Sequence, residues 1–136
     1  MIGIVIVAHD ALAHALAATT EHVVGAQTGL ATVAIGPNDD LRARQAEIEA
    51  AVDAVDSGSG VILVTDMFGG TPSNLAHGAM KSADVEVIYG ANMPMLVKLA
   101  KMRDRPLAEA VQAALKSGRK YISSAGVMLN PDKPSG

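Results

Sequence analysis

The sequence has no cysteine and no tryptophan, one phenylalanine and two tyrosines. Without cysteine there is neither a disulfide nor a thiolate metal site, which suits a reducing compartment. Three aromatic rings do not make the row of stacking platforms that nucleic acid needs, and no basic run compensates. With 11 basic and 14 acidic residues the net charge is -3, so nucleic-acid binding is not expected. Long apolar runs are missing as well: none approaches the roughly 18 residues of a membrane-spanning helix. No cationic segment precedes the apolar N-terminus, so neither membrane insertion nor a secretory signal is expected, and the chain reads as a soluble cytoplasmic protein. Nucleotide motifs are absent too. Gly58-Ser59-Gly60 precedes a strand instead of following one, and Gly69-Gly70 has no downstream lysine. That excludes a dinucleotide fingerprint and a P-loop, and no cofactor is expected.

What the chain has is aliphatic bulk. Apolar residues fill 49% of its 136 positions and aromatics 2%, so the core must be built from Ala, Val, Ile, Leu and Met, within one domain. Ile2 to Val7 is a β-branched run of the kind found in strands covered on both faces, and it leads into His9-Asp10. Asp10 is placed to cap a helix that runs to Val24 and stops at Gly25, with Leu12, Leu16, Thr19, Thr20 and Val23 on one stripe. Further strands are predicted at Leu30–Ile35, Val61–Thr65 and Val85–Tyr89. Helices are predicted from Leu41 to Asp56, after Pro72, at Pro94–Lys101 and at Pro106–Lys116, the last closed by Gly118. This alternation predicts an α/β fold with a mainly parallel sheet of four strands flanked by helices. Tyr121–Met128 reads as a short extra strand without a slot in that sheet, suited to an antiparallel edge or to a partner subunit. Residues 1–129 make the domain and 130–136 a polar tail.

Strands one and three both end in a polar residue, His9 and Asp66. As sheet neighbours they would meet at the carboxyl-end rim, where open α/β sheets bind ligands. A carboxylate on one imidazole nitrogen fixes the tautomer and leaves the other nitrogen its lone pair, which suits a nucleophile or base. The stretch Gly69-Gly70-Thr71-Pro72-Ser73-Asn74 follows Asp66 at once. Its glycines let backbone N–H groups approach a ligand, Thr71 or Ser73 can cap the helix that Pro72 opens, and such a helix start holds anions. Taken singly, Asp66 is a solvated turn residue and the glycines an ordinary turn. Together with His9 they imply phosphoryl transfer through histidine. Met67, Phe68, Met93 and Met95 are expected at the same rim, as an apolar collar that docks a partner protein. His14 is expected in solvent, His22 near a helix end where a cation suits the dipole, and His77 one turn into the helix after the glycines. A metal site made of His9, Asp66 and a second histidine lacks close ligand spacing, so none is expected.

With these residues in place, the chain resembles the mannose-type enzyme IIA domain of the bacterial phosphoenolpyruvate:sugar phosphotransferase system over about residues 1 to 129. The resemblance rests on Ile4-Val-Ile-Val-Ala-His9-Asp10, on Val64-Thr-Asp66-Met-Phe-Gly-Gly-Thr-Pro-Ser-Asn74, and on Gly90-Ala-Asn-Met-Pro-Met-Leu96. It implies that His9 accepts a phosphoryl group from the phosphocarrier HPr and passes it to a IIB component. Asp66 matches the family's carboxylate that orients the histidine, and Thr71 its hydroxyl near the phosphate. The resemblance also implies a homodimer that exchanges its last strand, here Tyr121–Met128. Many mannose-type proteins run on through a linker into a IIB domain, so a separate IIB chain is expected here. Two alternatives share the fold: a regulatory enzyme IIA whose phosphorylation state controls partner binding, and the phosphotransfer subunit of dihydroxyacetone kinase. The latter ranks lower because it lacks the Phe-Gly-Gly-Thr-Pro loop.

Overall fold

In a computed structural model, which describes residues 1–82 and 84–132, four strands form one parallel sheet. They are β1 (Gly3–His9), β2 (Leu30–Ile35), β3 (Val61–Thr65) and β4 (Val85–Ile88), in the order β2-β1-β3-β4. Among the described residues there are six helices: α1 (Leu12–Val24), α2 (Leu41–Val55), α3 (Thr71–Gly78), α4 (Met93–Lys101), α5 (Leu107–Lys120) and α6 (Ala125–Leu129). The expected α/β class and four-stranded parallel sheet are borne out. Among the described residues no helix is long and apolar enough to cross a membrane. Residues 133–136 of the expected tail lie outside the described residues.

The two-residue period of a strand sorts its side chains onto two faces. Ile4, Ile6 and Ala8 of β1 join Ile62, Val64 and Ile88 in a cluster with Ala13 and Ala17 of α1, Leu96 and Leu99 of α4 and Ala114 of α5. Val5 and Val7 point the other way, with Leu63, Val87, Ile48 and Val52 of α2 and Ala76 of α3. His9 has the parity of Val5 and Val7, so it emerges on the α2/α3 side. The chain leaves β1 towards β2 on one side and returns to β3 on the other, so the strand order reverses between β1 and β3. Ligands of such sheets bind in the crevice at that reversal, beyond the carboxyl ends of the strands.

Three expectations of local structure need correction. Asp10 does not cap α1: Ala11 is the N-cap residue and no side chain caps it. The Asp10 N–H donates to the Ile35 carbonyl at 3.0 Å, still within the ladder to β2, and the chain then turns through a left-handed residue, Asp10 at φ 47°. Gly118 does not end α5. It is buried within that helix, where a Cβ would meet Met95 Cε at 3.1 Å, so it allows α4 and α5 to approach. Tyr121–Met128 is not a strand in the single chain. Ser124 caps the one-turn helix α6, accepting from the Val127 N–H, and Ile122, Met128 and Leu129 are exposed at 76%, 66% and 86%.

At the amino end of the sheet, far from His9, the buried Arg103 ties three segments together. Its Nε donates to the Ile2 carbonyl at 2.8 Å, Nη1 to Gln27 Oε1 at 3.0 Å and Nη2 to the Gly29 carbonyl at 3.0 Å. Burial pushes its guanidinium below its ordinary value, and the three acceptors offset the loss of water. Beside it, Gly3 packs against the end of α2, and a Cβ there would lie 2.6 Å from Val55 Cγ2 and collide with the Val55 carbonyl oxygen. Gly3→Ala is expected to cost about 3 kcal/mol, at the upper end of overpacking penalties, because strand and helix are both fixed. Urea unfolding measures this, and a loss under about 1 kcal/mol would mean that α2 can move.

Candidate functional site

The site is the crevice between β1 and β3. β1 runs two residues beyond Val7, which pairs with Thr65, the last residue of β3. His9 therefore stands beside Asp66, the first residue after β3. The Asp66 Oδ2 accepts from His9 Nδ1 at 2.7 Å and from the His9 backbone N–H at 3.1 Å. A carboxylate can only accept, so Nδ1 carries the proton and Nε2 presents its lone pair. The His9 side chain is 47% exposed and Asp66 only 11%: the carboxylate is inside and the imidazole at the mouth. Burial by itself would raise the Asp66 carboxyl. The hydrogen bonds from the His9 ring and backbone N–H outweigh it and hold the group below the ordinary aspartate value.

The free edge of the imidazole faces the glycine loop. A Cβ on Gly70 would lie 3.2 Å from His9 Cε1 and 3.7 Å from Nε2, so the loop backbone abuts the ring only because residue 70 lacks a side chain. Gly70 is also the N-cap residue of α3, and no side chain caps that helix. Its first-turn N–H groups have no partners within the helix, and Pro72 has none to offer, so Thr71, which lines the cleft with His9, supplies a free donor at the helix start. An imidazole nitrogen that presents a lone pair next to an uncapped helix start is an arrangement that can take up an anionic group. His9, Asp10 and Thr71 open into a cleft of about 450 Å³, closed on the far side by Ile35, Gly36, Pro37, Asp39 and Leu41.

That far wall was not singled out in the sequence. Its signal was the turn at Gly36-Pro37, which the strand order carries to the carboxyl end beside β1. Asp39 accepts there from the Gly36 N–H at 2.7 Å and from Arg44 Nε at 2.9 Å, which shapes the wall. Asp39 is held below the ordinary aspartate value, first by the Gly36 N–H and then by Arg44.

Of the expected site residues, the structure brings His9, Asp66, Gly70 and Thr71 together. Gly69 adopts φ 87° with open space around it, so it supplies the left-handed turn that leads into Gly70. Ser73 is fully buried, its hydroxyl has no protein partner, and it does not line the cleft. Neither Thr71 nor Ser73 caps α3. The apolar collar also shrinks. Met67 and Phe68 are exposed at 54% and 71%, whereas Met95 is buried at 4% because α4 turns it inward with Leu96 and Leu99, and Met93 packs partly buried against the same core. His14 is exposed, as expected, with Nδ1 2.6 Å from Thr32 Oγ1. His22 lies in the last turn of α1. His77 bonds to the Tyr89 hydroxyl.

A family model described as PTS system fructose IIA component matches residues 3–116. The chain belongs to this family. The resemblance to mannose-type IIA domains is borne out by the PTS system mannose-specific EIIAB component of Escherichia coli (strain K12), which is 30% identical over 126 residues. That alignment covers 90% of this chain and 39% of the relative, so this IIA chain spans about two fifths of the length of the curated relatives it matches. Among solved structures, the PTS IIA protein associated with the fucose utilization operon from Streptococcus pneumoniae is 29% identical. It superposes with a TM-score of 0.80 over 94% of this chain and 96% of its own. The mannose/sorbose specific IIA subunit from Enterococcus faecalis, at 23% identity and TM-score 0.82 over 99% and 98% of the two chains, shares the fold.

The hydrogen-bonded Asp66–His9 pair of this IIA site sets a pH dependence. Asp66 lies lower in the folded protein than in the unfolded chain, so its stabilisation is complete above the unfolded pKa of about 3.9 and is lost as pH falls through the folded value. The stability difference between wild type and Asp66→Asn should therefore be present above about pH 5 and close below about pH 4. Urea unfolding across that range measures it, and an equal difference at both ends would contradict the pairing.

Proposed function

We propose that this protein is a phosphocarrier, in which His9 takes a phosphoryl group from the phosphohistidine of HPr and passes it to a IIB component during sugar uptake. One observation carries the reading: His9 Nδ1 is held by Asp66 at 2.7 Å, while the edge bearing Nε2 faces the uncapped start of α3. In the forward step Nε2 attacks phosphorus as the donor's P–N bond breaks. The donor ring, protonated on its other nitrogen, leaves as neutral imidazole, and its positive charge passes to the His9 ring, where the Asp66 carboxylate faces it. The Thr71 N–H, left free at the start of α3, would donate to the oxygens of the transferring group. The step as written uses no nucleotide and places the protein in the cytoplasm with its donor. Thr71 lines the cleft and would touch the phosphoryl oxygens; Met67 and Phe68 would meet the donor protein. A homodimer belongs to the same reading, supported by the exposed Ile122, Met128 and Leu129 at the C-terminal end. The relatives are named for mannose, for mannose and sorbose, and for a fucose operon, so no sugar is assigned.

The test is incubation with radiolabelled phosphoenolpyruvate, enzyme I and HPr. One acid-labile phosphate per chain is expected on the wild type and none on His9→Ala. Label that persists in His9→Ala, or never enters the wild type, would overturn the proposal.

A further inference from the structure

Rings are scarce in this chain, yet three of them stand together at the loop that follows Asp66. Phe68 is the single phenylalanine, two residues beyond Asp66 and 71% exposed. Its ring meets Tyr89 edge-on, with centroids 5.1 Å apart at 82°. Tyr89 follows directly on β4 and meets the His77 ring at 5.4 Å and 83°, and its hydroxyl is hydrogen-bonded to His77 Nε2. The loop that carries Phe68 has little else to hold it. Gly69 has no neighbour within reach of a side chain, and Met67 is itself 54% exposed. Tyr89, by contrast, is anchored: it packs against the core face of Val7, Leu63 and Val87, and His77 fixes its hydroxyl from the last turn of α3. One short helix thus presents the anion-binding start to His9 and, at its other end, the histidine that locks Tyr89.

We infer that Tyr89 and His77 are positioning residues that hold Phe68 as a fixed apolar anchor for the protein that exchanges phosphoryl with His9. The inference rests on the phosphocarrier function proposed above. The partner it fits has an apolar pocket next to its own phosphohistidine, deep enough for one ring. A phenyl group already held in place loses little freedom on docking, whereas a free one must be ordered at every encounter. Release of Phe68 therefore weakens the encounter and leaves the chemistry at His9 intact.

A single phenylalanine makes the test direct, because incorporating 4-fluorophenylalanine into the full chain gives one fluorine resonance. In wild type that resonance is shifted by the Tyr89 ring. In Tyr89→Leu it should sharpen and move to the position of a free, solvated ring, with His77→Ala moving part of the way. His77 is exposed, so its variant serves where Tyr89→Leu does not fold. In transfer assays Tyr89→Leu should raise KM for the phosphorylated carrier about five- to tenfold, with kcat within about twofold. Tyr89→Phe, which keeps the ring, should restore most of the affinity. On a Phe68→Ala background Tyr89→Leu should add nothing further. Phosphoramidate, a small donor with no docking surface, should label His9 equally in all of these variants. A resonance unmoved by both Tyr89→Leu and His77→Ala overturns the inference, as does a Tyr89→Leu penalty retained in full without Phe68. If neither donor labels wild-type His9, the phosphocarrier function fails and the docking role falls with it, while the fluorine shift decides by itself whether Tyr89 holds Phe68.

Discussion

Asp66→Asn is expected to slow phosphoryl acceptance by His9 on the order of 10² to 10⁴-fold, with the chain still folded. The variant keeps the size of the side chain but changes two things that the geometry depends on. A single oxygen, Oδ2, receives both the His9 ring N–H and the His9 backbone N–H. An amide can still accept there, but weakly, and it can equally turn its NH₂ towards the ring. In that orientation Nδ1 becomes the acceptor, the proton moves to Nε2, and the nucleophilic lone pair is lost. In the other orientation the tautomer survives, but the positive charge that develops on the ring during attack has no carboxylate to face. Because Asp66 is 11% exposed, water does not replace that charge at full strength. Single-turnover labelling from phosphorylated HPr measures the effect. A rate within about threefold of wild type would show that Asp66 is only a turn residue.

Gly70→Ala is expected to leave stability near that of wild type and to lower the acceptance rate by about 10 to 100-fold. The backbone at residue 70 has φ -86° and ψ 174°, which alanine adopts freely, so no backbone strain arises. The whole effect is local. The added methyl would lie 3.2 Å from His9 Cε1, and the ring cannot swing away without stretching its bond to Asp66. Either the imidazole shifts by a few tenths of an ångström or the start of α3 draws back from Nε2, and both misplace nucleophile and anion donors relative to each other. Gly69→Ala is the contrast. There a methyl meets nothing within 4 Å, but φ is 87°, so the cost is backbone strain of about 1 to 2 kcal/mol. Gly69→Ala should lower stability more than Gly70→Ala does, and Gly70→Ala should lower the rate more than Gly69→Ala does. The opposite order would place the anion site elsewhere.

Much of the fold was legible because burial on both faces leaves a continuous mark. The runs before His9 and Asp66 contain no charged residue, and the one hydroxyl among them, Thr65, is the last residue of its strand, so each had to be a central strand ending at a polar rim. Gly25 after α1 was readable for a similar local reason, since it takes φ 95°, whereas the cap at Asp40, which accepts from the Arg42 and Ala43 N–H groups, came from the structure. The failures came where a distant element intervenes. Met95 was placed at the rim because it lies at a helix start beyond the fourth strand, but the helical period turns it towards Gly118 of α5. Asp10 has the chemistry of a cap, but pairing of its N–H with Ile35 commits that peptide to the sheet. Arg103 looks like any surface cation until the strand starts that it ties together are in place.

The sequence by itself determined the class of fold, the strand ends that carry His9 and Asp66, and the glycine loop that follows, since each depends on residue type and short-range period alone. Only the tertiary structure decided that β1 lies beside β3, that strand parity turns His9 towards α3, and that Gly70, not Ser73, is the residue pressed against the imidazole. Those facts depend on which elements become neighbours. A linear pattern records which side chains are apolar and how they alternate, but not which surface comes to cover them.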